Sequence, residues 1–319
     1  MIDVHAHFLP PAYVHALARA GIDRPDGFPR VPRWNAAEAL ALMDRLGVDI
    51  AMLSVSSPGV GFAGSRAAVA LARDVNDEGI ALVHAHPLRF GLLATLPLPD
   101  VDATLAEIER AGDVLGVDGF VLMTNYDGVY LGDPRFDEVM AELHRRRAVV
   151  ALHPTSPPGW ESVALGRPRP LLEFPIDTTR AVFDLLLAGT LDRHPGLRII
   201  VPHAGAAVLA LADRVQGLGN MLSERPIDVD LALRRLWFDL AGGPYERALP
   251  SLLQQVGAGR LLYGSDVPFS PPELVARATR RLQHDDRLSE PDRAAIFSGN
   301  ARALFPRLHP ATAAVTDQG

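Results

Sequence analysis

LRIIVPHAGAAVLALADRVQGLGNML (197–222) holds both halves of the repeating unit that decides the fold. Residues 197–202 are apolar and rich in β-branched side chains, as a buried strand requires, and His203 follows directly. From 206 to 222 the apolar residues recur at three- and four-residue spacing, the period of an amphipathic helix. The same alternation runs outward in both directions. Further strands are read at 2–6 (IDVHA), 49–55 (DIAMLSV), 90–95 (FGLLAT), 117–122 (VDGFVL), 148–153 (AVVALH), 236–240 (LWFDL) and 260–265 (RLLYGS). Helical patterns lie at 36–46, 65–83, 101–115, 134–146, 178–191, 246–256 and 272–282. Strands separated by helices pair in parallel through right-handed crossovers. Eight such units predict an α/β fold, the closed (β/α)8 TIM barrel, which needs about 250 residues. An open doubly wound sheet is the competing reading.

The remaining residues are expected to form loop insertions on the C-terminal face and extra C-terminal helices. Segments 21–35 (GIDRPDGFPRVPRWN) and 155–175 (TSPPGWESVALGRPRPLLEFP) read as those insertions, and long irregular loops in a compact domain tend to carry function. Residues 1–306 are expected to form one barrel domain and 307–319 a C-terminal tail.

Composition narrows the chemistry. Hydrophobic residues make up 48% and charged residues 22% of the 319, an ordinary soluble balance. No apolar run approaches the ~20 residues of a membrane span. MIDVHAHFLP (1–10) lacks the basic and apolar regions of a signal peptide, so a cytoplasmic location is expected. A net charge of −7 argues against nucleic-acid or anionic-membrane partners. The absence of Cys excludes disulfide scaffolds, thiolate metal sites and cysteine nucleophiles. All 31 basic residues are Arg, which excludes Schiff-base chemistry, a P-loop lysine and a two-metal site bridged by a carboxylated lysine.

The histidines fall into place on this frame. His5 and His7 sit near the end of the first strand, and residues two apart on a strand share a face. His153 ends the fifth strand, His203 follows the sixth and Asp266 follows the eighth. Five groups able to bind a metal or move protons therefore meet at the C-terminal ends of four strands, where active sites of this fold lie. Imidazole and carboxylate without thiolate suit Zn²⁺, Mn²⁺ or Fe²⁺. His5, His7, His153 and Asp266 are read as ligands of a single divalent ion with water in an open position, and His203 as the acid or base beside it. A second pair, His84 and His86, precedes the third strand and reads as helix-end structure at the opposite rim.

DVHAHFLP (3–10), LHPTSPP (152–158), VPHAGAAV (201–208), LLYGSDVPF (261–269) and GNARALF (299–305) together resemble the amidohydrolase superfamily in its amidohydrolase 2 branch. This is the branch of 2-amino-3-carboxymuconate-6-semialdehyde decarboxylase and related aromatic-acid decarboxylases. The resemblance implies one metal on His5, His7, His153 and Asp266, with zinc expected and manganese the alternative, and His203 as the acid–base residue. His5 at the first ligand position, where some relatives carry Glu, leans toward the zinc type. The family often reads HGGG or HAGG where this chain has His203-Ala204-Gly205-Ala206, an added methyl that narrows the pocket floor.

The resemblance further implies a metal-dependent, non-oxidative decarboxylase of a planar unsaturated or aromatic carboxylic acid, with Asp266 or His203 in proton delivery. The competing expectation is a hydrolase or hydratase opening a lactone, amide or related ring on the same residues. Arg214, and Arg30 or Arg33, are the candidates for the substrate carboxylate, with Arg214 expected to serve a neighbouring subunit in a homodimer. Trp34, Asn125, Tyr126, Trp160 and Phe269 are the candidate pocket walls, and Asp239 a supporting partner behind the site.

Overall fold

The computed structural model describes residues 1–222, 226–243 and 246–308. Eight parallel strands follow one another in sequence order: β1 (Ile2–His7), β2 (Ile50–Ser54), β3 (Phe90–Thr95), β4 (Gly119–Met123), β5 (Val149–His153), β6 (Arg198–Val201), β7 (Trp237–Asp239) and β8 (Leu261–Leu262). The ring closes between β1 and the chain running on from β8. Val4 N donates to Tyr263 O at 3.0 Å, Asp266 N to His5 O at 2.8 Å and His7 N to Val267 O at 2.8 Å. Each crossover carries a helix, so the expected (β/α)8 barrel is the fold. No helix among the described residues is long and apolar enough to cross a membrane.

Local boundaries differ where backbone chemistry intervenes. The helix expected at 178–191 spans Glu173–Leu187, and Gly189, at φ +73°, separates it from a short turn at Thr190–Arg193. The eighth strand is regular for two residues only, because its continuation bends to deliver Asp266 at φ +61°.

A bulge in β1 decides where its histidines point. Ile2 and Val4 pack inside the barrel with Met52, Leu93, Val121, Ile200 and Leu262. Simple alternation would then send His5 and His7 outward with Asp3. Instead, Asp3 faces Ala51 while Ala6 faces Leu53, three residues set against two. The extra residue inverts the alternation: Ala6 and Phe8 join the outer core with Leu53 and Leu92, and the two histidines turn inward.

At the opposite end the C-terminal helices plug the barrel. Leu304, Phe305 and Leu308 pack with Ile2, Val4 and Leu93, and Arg307 pairs with Asp118 at 2.7 Å. Packed structure therefore reaches Leu308, two residues into the expected tail, and 309–319 lie outside the described residues.

Candidate active site

The strand ends assemble the five groups as expected. His5 Nε2 and His7 Nε2 are 3.1 Å apart. Asp266 Oδ1 lies 3.2 Å from His7 Nε2 and 3.6 Å from His5 Nε2. The His153 ring centre is 4.9 Å from that of His7. One donor atom from each of His5, His7 and His153 falls within 4.8 Å of the others, and the same holds for His5, His203 and Asp266.

The partners behind the rings show what the set fits. His5 Nδ1 donates to Asp239 Oδ2 at 2.9 Å and His153 Nδ1 to Pro154 O at 2.7 Å, while His7 Nδ1 faces Ser54 O at 3.3 Å. A ring whose Nδ1 donates keeps Nε2 as a lone pair. Three buried imidazoles and a carboxylate then face one another, an arrangement that a divalent cation stabilises. The residues fit one divalent ion of the nitrogen- and oxygen-binding kind.

His203 is held differently. Its Nδ1 is buried without a partner, and its Nε2 lies 3.9 Å from Asp266 Oδ2. No side-chain bond fixes its tautomer, which suits a group that takes and returns a proton. Its backbone is instead constrained. His203, Ala204, Gly205 and Ala206 stand at φ +54°, +55°, +77° and +53°, conformations that cost energy for residues with a Cβ. Asp239 Oδ1 secures this turn by accepting from His203 N and Ala241 N, both at 3.0 Å. One carboxylate thus fixes the ring of His5 and the main chain of His203. Gly242 completes the seat: a Cβ there would lie 3.0 Å from His203 Cδ2.

The charges are consistent with these roles. Burial pulls His5 down, but Asp239, Asp266 and Asp3 outweigh it and push its pKa up to about 9 in the metal-free chain. Burial holds His7, His153 and His203 below the usual imidazole range, reinforced for each by positive charge on its histidine neighbours. Burial alone would raise Asp266, yet His7, His5 and His203 keep it below the usual carboxylate range.

The expected pocket residues separate into groups. Between the two insertions lies a cleft of about 680 Å³ whose wall includes Asn125, Tyr126 and Trp160. It reaches down to Met123, the register partner of His153. The polar atoms of two wall residues are already engaged. Asn125 Nδ2 donates to Asp177 at 2.8 Å, and Tyr126 Oη accepts from Met123 N at 3.1 Å. Phe269 stands edge-on to His7 with ring centres 5.5 Å apart. Trp34 and Arg33 line another cavity of about 320 Å³, bounded by helix Ala36–Leu46, β1 and β2, whose wall includes His7. Arg30 and Arg214 are exposed and are not among the described residues lining the cleft.

Two positions around the cleft escaped the sequence reading. Asp177, fully buried, accepts from Thr124, Asn125 and Tyr130 and ties the end of β4 to the helix after β5. Arg169 lies in the cleft wall. Neither carries a local motif: Asp177 meets side chains from β4 and the loop after it, and Arg169 meets Ser156 and Trp160 of its own insertion.

An eightfold barrel that gathers three histidines able to hold a metal ion at its strand ends is the class of protein that fold and site define. A family model described as Amidohydrolase, the amidohydrolase 2 model, matches residues 2–307, and the chain belongs to that family. The chain is 37% identical over 318 residues to a 6-methylsalicylic acid decarboxylase of Penicillium expansum, covering 96% of each chain. A solved amidohydrolase II superposes with a TM-score of 0.90 at 35% identity, covering 95% of this chain and 98% of the other. A solved 2,6-dihydroxybenzoate decarboxylase complexed with 2,6-dihydroxybenzoate gives a TM-score of 0.82 at 25% identity, covering 96% and 98%.

Proposed function

We propose that the protein is a metal-dependent, non-oxidative decarboxylase of a planar aromatic or unsaturated carboxylic acid. His5, His7, His153 and Asp266 hold one divalent ion, zinc in the first place and manganese as the alternative. The observation that carries this reading is the set of three Nε2 lone pairs and one carboxylate beside an unpinned histidine, in a chain alike over 96% of its length to an aromatic-acid decarboxylase. Bound there, the ion supplies Lewis-acid polarisation of the substrate's oxygens.

The chain's own groups do the rest. Asp266 and His203 face the same space, and a single proton relayed between them reaches the carbon bearing the carboxylate. That carbon becomes saturated. The bond to the carboxylate then breaks, its electron pair restores conjugation, and CO2 leaves. One proton is consumed per CO2 released, with hydrogen in place of the carboxylate. Phe269 against His7 and the cleft wall exclude water from the substrate ring. Residues 1–306 act as one barrel domain in this reading.

The protein works in the cytoplasm as a homodimer. Supporting the dimer, helix Val208–Leu222 exposes Leu211, Leu218, Met221 and Leu222 beside Arg214, an apolar face that a second copy can cover. The test of function is incubation of metal-loaded protein with 6-methylsalicylic and 2,6-dihydroxybenzoic acids. Release of CO2 with the matching phenol supports the proposal; ring opening without CO2 in a panel of lactones and amides returns the hydrolase reading.

A further inference from the structure

The cleft contains a cation with unused hydrogen-bonding capacity. Arg169 is half-buried in the second insertion, and its guanidinium lies over the Trp160 ring, 3.9 Å from the centroid. Its Nε donates to Ser156 Oγ at 3.1 Å. Neither terminal nitrogen has an acceptor among the described residues, and no carboxylate there lies within ion-pair distance. The acid nearest in the network, Asp26, accepts from the same Ser156 hydroxyl.

The surroundings fix this side chain rather than neutralise it. Gly27, at φ +80°, brings the first insertion so close that a Cβ there would sit 2.9 Å from Arg169 Nη1. Trp160 occupies one face of the guanidinium and Ser156 one edge. The remaining edge is the fork that matches a carboxylate. Cleft and histidine site are neighbours across one strand pair, because Met123 in the cleft wall is the register partner of His153. Ser156 is three residues beyond His153, a span of at most about 10 Å of extended chain. Arg24, the other arginine of the wall, is exposed and lacks such a seat.

We infer that Arg169, seated on Trp160 and Ser156, is the specificity-determining residue that holds the carboxylate of a planar acid in the cleft beside the strand end that carries His153. This rests on the decarboxylase reading for the identity of the acid, but its test needs no turnover. The metal-loaded protein is titrated by calorimetry with benzoate, an unreactive planar carboxylate, and with phenol, a neutral ring. Arg169→Gln is expected to weaken benzoate on the order of tenfold or more, the loss of a charge-assisted pair, and to leave phenol and metal content unchanged. Ser156→Ala, which frees the seat but keeps the guanidinium, separates charge recognition from loop order and is expected to bind benzoate within about threefold of wild type. With a turned-over acid, Arg169→Gln raises KM and leaves kcat within about twofold.

Benzoate affinity unchanged by Arg169→Gln overturns the inference. So does an equal loss in both variants, or a wild type blind to benzoate at millimolar concentration. Absence of CO2 from every acid tried sinks the decarboxylase reading alone, since benzoate binding is measured independently.

Discussion

His203 and the three pinned histidines differ by a single partner, and that difference divides their roles. His5 and His153 donate through Nδ1 and present Nε2, whereas His203 has no partner at Nδ1. His203→Ala is therefore expected to retain metal and lose turnover by roughly 10²-fold or more, the usual contribution of a positioned acid–base group. Asp266→Ala is expected to lose both metal and turnover. Metal content and CO2 release on the same preparations check this, and a fully active His203→Ala protein contradicts the assignment. Asp239 acts through both neighbours. Asp239→Asn is expected to weaken metal binding about 10–100-fold, the typical cost of losing an orienting partner. A chelator competition titration reads that loss, and wild-type affinity in the variant refutes the positioning role.

At the scale of elements, the β1 bulge aims two histidines at the site, and paired charges hold helices to one another on the outer layer. Glu142, near the end of helix Asp137–Arg145, pairs with Arg145 and Arg146 at 2.6 Å each, and Arg146 reaches Asp113 on the preceding crossover at 2.7 Å. The Arg145 hydrogen bond first, then Arg146, pull the Glu142 pKa down to about 2 from 4.5. A depressed carboxylate contributes stability above its unfolded pKa and loses it as pH falls through the folded one. Wild type should therefore lose this contribution between about pH 4.5 and 2, whereas Glu142→Gln should be less stable at neutral pH and show a shallower acid decline. The group is largely solvent-screened, so the effect is small. Denaturant midpoints across that range measure it, and parallel curves for the two proteins refute it.

For the whole molecule, the barrel was legible because each βα unit writes its own periodicity, 2–6 and 197–222 as clearly as any. The site was legible because His5, His7, His153, His203 and Asp266 each sit at a strand end, and the fold converts strand ends into one place. The β1 bulge was not legible: Ile2 and Val4 alone suggest the opposite facing for the histidines, and only the pairing with β2 reveals the slip. Arg169 and Asp177 were hidden for a related reason. Arg169 meets Trp160 and Ser156 9 and 13 residues back in an irregular loop, and Asp177 meets Thr124 53 residues back, pairings that no local periodicity encodes. The C-terminal plug also belongs to this scale. Phe305 is fully buried at the barrel floor, and Phe305→Ala should cost about 3–5 kcal/mol in a denaturant titration; a change under about 1 kcal/mol shows that the floor is not part of the core.

In the proposed function, carboxyl loss depends on one metal held by His5, His7, His153 and Asp266. The most direct measurement is CO2 release from a planar aromatic acid by protein as purified, after metal stripping, and after adding back one equivalent of zinc or manganese. About one metal per chain is expected, with loss of CO2 release on stripping, its return on reloading, and the His5→Ala/His7→Ala protein inert throughout. CO2 release that survives stripping, or an acid consumed without CO2, contradicts the proposal.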